Sequence, residues 1–124
     1  MLAAGGDRLW ALSRDGSDRR TVAALDPRSG RLGRSVAIRG AVPALAAGDG
    51  AAWVLDRPGF GLTRVDARTA RDRRAMDPPA APDGLFGLST VGLAVGAGGV
   101  WVLEENHRRV VRADARTGRE KSTL

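Results

Sequence analysis

A chain of 124 residues, 43% of them hydrophobic, is long enough for one ordinary domain and would bury about two-thirds of its unfolded surface if it closed on itself. It has no cysteine, which excludes disulfides and thiolate metal sites and leaves the redox compartment open. The net charge of +6 is carried almost wholly by arginine, but tyrosine is absent and only 4% of residues are aromatic, so no stacking platform for bases exists and no nucleic-acid partner is expected.

The opening MLAAGGDRLW has no basic segment followed by a long apolar one, so it does not read as a secretory signal. No apolar run approaches the roughly 20 residues that cross a bilayer, and no membrane insertion is expected.

Aligning the chain on Trp10, Trp53 and Trp101 exposes an internal repeat with steps of 43 and 48 residues, close to the roughly 40 to 50 of propeller repeats. The first unit begins with a small apolar strand at 2–4, followed by the glycine turn Gly5-Gly6-Asp7. Small side chains there suit a strand that lines the crowded centre of a ring, and glycine tolerates the positive φ of a tight hairpin. A second strand at 9–12 carries Trp10, with Leu12 on the same face by the two-residue period of a strand. This pair forms a natural wedge between neighbouring sheets. A variable turn at 13–21 leads to a third strand at 22–25, and the turn Asp26-Pro27-Arg28-Ser29-Gly30 returns the chain into a fourth strand at 34–38. In that turn the Asp side chain can accept from backbone N–H groups two or three residues on, and Gly30 can take the left-handed position.

The second unit repeats this order, with strands at 45–47, 52–55, 62–65 and 74–76, the glycine turn at 48–50, and Asp66-Ala67-Arg68-Thr69 in the second turn. The stretch 77–84 contains Pro78, Pro79 and Pro82, which forbid regular hydrogen-bonded structure, and it reads as a surface loop between units. The third unit follows with strands at 93–95, 100–103, 110–113 and 120–124, and with Asp114-Ala115-Arg116-Thr117-Gly118 as its turn. The fourth strand of each unit is the least regular in sequence, as an outer strand can be.

The expected fold is therefore all-β: three four-stranded antiparallel repeats, each a blade, of an incomplete β-propeller. One domain spans 1–124, with blades at 1–40, 41–77 and 88–124 and an inter-blade loop at 78–87. Three blades are fewer than the roughly four to eight that close a ring. The expected partners are accordingly the remaining blades of a longer chain, or a second copy of this one.

The Trp-bearing strand, the variable turn and the Asp-x-Arg-Thr-Gly turn resemble bacterial YVTN/NHL-type β-propeller repeats, most closely in GDGAAWVLDRPGFGLTRVDARTA and GAGGVWVLEENHRRVVRADARTG. The resemblance implies a propeller fold and an extracytoplasmic location. The third unit is also similar to the repeats of streptogramin (virginiamycin B) lyase-like propellers, which implies a magnesium-assisted C–O lyase with a histidine near the position nine residues before the Trp. That position holds Met1, Ala44 and Gly92, none able to move a proton, so a lyase would need its catalytic residues from outside this chain.

The variable turns carry the candidate binding residues, because loop variation on a constant frame is where specificity resides. In the second unit these are Asp56, Arg57 and Phe60, and in the third Glu104, Glu105, Asn106 and the sole histidine, His107. Glu105 and His107, two apart on an extended segment, could supply a general base or two ligands. Two ligands do not close a metal site, and Arg108 and Arg109 beside them would repel a divalent cation. No catalytic residue, cofactor or metal is assigned from the sequence. The expected function is a non-enzymatic binding or scaffold module for a protein or small-molecule ligand.

Overall fold

The computed structural model describes residues 1–6, 8–14, 16, 19–38, 44–55, 62–68, 72–76, 91–104, 108–117 and 120–124. Side chains at 72–76, 91, 104, 120 and 123 lie outside that description, as does the whole expected inter-blade loop at 78–87.

Strands β1 (Leu2–Gly5), β2 (Arg8–Arg14), β3 (Arg20–Leu25) and β4 (Leu32–Ile38) pair in chain order to form one antiparallel sheet. Strands β5 (Ala44–Gly48), β6 (Ala51–Leu55), β7 (Leu62–Asp66) and β8 (Asp72–Met76) form a second sheet in the same way. The third consists of β9 (Val91–Gly96), β10 (Gly99–Glu104), β11 (Arg109–Asp114) and β12 (Glu120–Thr123).

Local chemistry accounts for the hairpins. The pairs Gly5↔Arg8, Gly48↔Ala51 and Gly96↔Gly99 leave two-residue loops. Asp49 and Gly50 have φ of 51° and 72°, and Ala97 and Gly98 have 50° and 68°, the both-positive signature of a type I′ turn. Asp-Gly is a preferred pair for that turn, whereas Ala97 holds a left-handed conformation that costs an L-residue roughly 1–2 kcal/mol.

The β3–β4 turn is held by Asp26, whose Oδ1 accepts from the Arg28 N–H at 2.8 Å and whose Oδ2 accepts from the Ser29 hydroxyl at 3.0 Å. Gly30 takes φ of 69° and donates to the Asp26 carbonyl at 2.8 Å. The turn recurs where Asp66 Oδ1 accepts from the Arg68 N–H at 2.9 Å, and where Asp114 Oδ1 accepts from the N–H groups of Arg116 and Thr117 at 2.9 and 2.8 Å.

The first variable connection is shorter than the sequence suggested. Strands β2 and β3 extend through the pairs Ser13↔Thr21 and Arg14↔Arg20, and a 2.9 Å bond between the Ser13 and Thr21 hydroxyls ties the extension. Each outer pair carries a register shift, between Ala23 and Leu25, between Leu62 and Thr63, and between Arg112 and Ala113. The irregular fourth strand is thus a bulged one.

The sheets pack face to back in succession. Trp10, Val22, Ala24, Val36 and Ile38 of the first sheet meet Ala52, Val54 and Val65 of the second, with Leu12 and Leu45 at the margin. Ala44, Trp53, Leu55 and Leu62 on the opposite face of the second sheet meet Val100, Ala113 and Ala115 of the third, with Leu93 and Val95 beside them. Trp10 and Trp53 are wedges as expected, at 2% and 0% exposure. Trp101 is only partly buried, and among the described residues no other sheet packs on the face it occupies.

The innermost strands lie side by side, β5 between β1 and β9. Two glycines make that approach possible. A Cβ on Gly5 would fall 2.5 Å from the Ala47 carbonyl carbon, and one on Gly48 would fall 2.6 Å from Val95 Cγ1. The result is three successive four-stranded blades of an incomplete propeller.

Candidate functional site

The glycine turns and the Asp-x-Arg turns emerge along one rim, because β1–β2 and β3–β4 close at the same end of an antiparallel sheet. On this rim, a cleft of about 310 Å³ opens between the first and second sheets. Arg8 (β2) and Arg34 (β4) line it from one side, Asp66 and Arg68 from the turn of the neighbouring sheet, and Trp10 also borders it. The described residues that line it include three guanidinium groups and one carboxylate.

Asp66 is already engaged, accepting from the Arg68 N–H and from Arg64 Nη1 at 3.2 Å. Arg8 also borders an adjoining hollow with Asp26, Pro27 and Arg28. There the Asp26 carboxyl is held below the usual carboxylate range, first by the Arg28 N–H and then by the Ser29 hydroxyl. It remains an anion at neutral pH and serves its own turn.

The corresponding cleft between the second and third sheets, about 320 Å³, is lined by Asp49, Arg64, Asp114 and Arg116, two carboxylates against two guanidiniums. Lys121 Nζ lies 2.7 Å from Asp114 Oδ2, and this ammonium, with the Thr117 and Arg116 N–H groups, holds the Asp114 carboxyl well below the ordinary range. Among the described lining residues, the same backbone geometry thus yields an arginine-rich cleft in one place and a balanced one in the other. Arg64 lies over the Trp53 ring, with its Cζ 6.0 Å from the centroid, and Arg112 lies over Trp101 at 5.2 Å.

Asp56, Arg57, Phe60, Glu105, Asn106 and His107 lie outside the described residues. The backbone of Glu104 ends β10, paired with Arg109 and Val91, and its side chain is outside the description. In chain order the positions outside the description fall between β6 and β7 and between β10 and β11. Among the described residues no group of three or more His, Asp or Glu side chains is placed to hold a metal ion. At the position where a lyase-type histidine would stand, Ala44 is buried at the start of β5 and Gly92 sits within β9.

The sequence reading put the candidate binding residues in the variable turns and so missed the cleft. Its only trace in the sequence is the repeated Asp-x-Arg spacing. That spacing shows that arginines recur on a rim, but not that Arg68 of one unit converges with Arg8 and Arg34 of another.

The fold defines a propeller-type repeat protein of three blades with charged clefts between them. No protein-family model and no curated protein matches the chain. The structure is similar to two solved structures of AztD from Citrobacter koseri, one of them the apo protein, each with a TM-score of 0.62 and 14% identity. Each match covers 99% of this chain and 46% or 45% of the other, so the chain spans less than half the length of those neighbours. Likeness at this identity establishes the shared propeller-type fold.

Proposed function

We propose that this chain is a non-enzymatic propeller binding module, part of a larger ring, that takes a carboxylate- or phosphate-bearing small molecule in the cleft between its first two blades. The observation that carries this reading is the convergence of Arg8, Arg34 and Arg68 from two sheets beside Trp10, with Asp66 as the one carboxylate among the described lining residues. Planar guanidiniums bind such anions through paired N–H donors, and low-dielectric walls strengthen the attraction. The named lining groups include no nucleophile, and Asp66 is spent on Arg64 and the Arg68 N–H, which favours binding over chemistry.

Assignment to YVTN/NHL-type repeats in particular, and the extracytoplasmic location that goes with it, rest on the Trp strand and the Asp-x-Arg-Thr-Gly turn.

Calorimetric titration with citrate and with inorganic phosphate tests the reading. Replacing Arg34 and Arg68 by Ala should weaken binding by roughly tenfold per guanidinium, the scale of one charge-assisted hydrogen bond. The double variant Glu105→Ala/His107→Ala, in the variable turn, should bind as the parent does. Loss confined to that second variant, or no saturable binding of either anion, would remove the cleft from consideration.

A further inference from the structure

We infer that the chain closes a ring with a second copy of itself, the Trp101 face of each copy receiving the first blade of the other at two identical junctions. This inference stands independently of the anion cleft.

The chain already makes this kind of junction twice. In both, a Trp-bearing face of one sheet packs on the back of the next, and a leucine from each side borders the contact: Leu12 with Leu45 at the first, Leu55 with Leu93 at the second. The same repeat positions at the two open faces are Leu103, 45% exposed, and Leu2, 70% exposed. One molecule therefore carries both halves of a third junction, pointing away from each other. Such head-to-tail halves are what heterologous association uses, and it closes when the rotation allows.

The glycines supply a second, independent sign. Gly5 and Gly48 lack a Cβ because the next inner strand leaves no room for one, whereas Gly96, at the same repeat position, has nothing within 4 Å of the corresponding point. Docking β1 of another copy against β9 would give Gly96 the neighbour its counterparts have. Arg112 meanwhile lies over Trp101, as Arg64 lies over the buried Trp53. Six blades fall within the four to eight that close propellers. The chain covers 46% of the first AztD neighbour, so two copies amount to about one such chain.

Light scattering after size exclusion, at tens of micromolar of the 124-residue chain, should give a mass of about 26 kDa, twice the 13.0 kDa chain. Leu103→Arg and Leu2→Glu alter exposed positions, so each variant should keep the parent circular dichroism yet dissociate at concentrations at least tenfold higher. Mixed in equal amounts the two should dimerise again, because one junction is then unaltered and the other sets Arg against Glu. A monodisperse parent monomer overturns the proposal and leaves both faces to further blades of a longer chain. A ladder of larger species, or variants that fail to complement in a mixture, overturns closure by two head-to-tail junctions.

Discussion

Replacing Gly48 by Ala adds one methyl at the point where β5 meets β9, and the structure says what that methyl encounters. Its carbon would lie 2.6 Å from Val95 Cγ1 and 3.0 Å from Val95 Cβ. The Cβ cannot swing away, and a β-branched side chain has little rotamer freedom with which to move its Cγ1. The inner strands must therefore separate by several tenths of an ångström along their contact. Overpacking of this kind costs about 1–3 kcal/mol, and the reduced freedom of the unfolded chain returns about 0.4–1 kcal/mol, for a net loss of about 1–2 kcal/mol. The same substitution at Gly96, which faces open space in the single chain, should be neutral or slightly stabilising. Urea unfolding of dilute protein followed by tryptophan fluorescence should show the midpoint falling for Gly48→Ala and holding for Gly96→Ala, with unchanged slopes. Trimming the opposing side chain with Val95→Ala should recover part of the loss, giving a coupling of about 1 kcal/mol in a double-mutant cycle. A Gly48→Ala protein within about 0.5 kcal/mol of the parent, or two alanine variants equally destabilised, would refute the close approach as the reason for glycine.

Two further outcomes follow from turn chemistry. The folded Asp114 carboxyl titrates below its unfolded value because Lys121 and the Thr117 and Arg116 N–H groups favour the anion. Its stabilising contribution is therefore fully present above the unfolded carboxylate range near 4 and is lost as pH falls below it. Asp114→Asn should lose less stability than the parent between pH 7 and pH 3, read as urea midpoints; parallel losses would show that the carboxylate is not responsible. At the β9–β10 turn, Ala97 sits at φ of 50°. Ala97→Asn should raise stability by up to about 1 kcal/mol, since asparagine visits that region more readily; a lower melting temperature would show that Ala97 is not strained.

The location of the strands and turns was legible in the sequence because both depend on neighbours a few residues apart. Trp10 and Leu12 share a face by strand period, Asp26 reaches its own turn N–H groups, and Asp49-Gly50 meets the demand of a type I′ loop. The candidate binding residues were chosen from the variable turns, and all of them but the backbone of Glu104 lie outside the described residues. The basic cleft was not legible, because Arg68 is 60 residues from Arg8 and nothing local links the two.

Local periodicity and turn chemistry thus determined that the chain makes repeated four-stranded hairpin units with an apolar Trp face. Which surface covers the Trp10 and Trp53 faces, why Gly5 and Gly48 must lack a side chain, and why three arginines gather in one cleft were decided only when the sheets packed. A two-residue period shows that a face is apolar, but burial is non-directional and carries no label for its partner. That choice belongs to the relative placement of whole sheets, which arises from contacts dozens of residues apart.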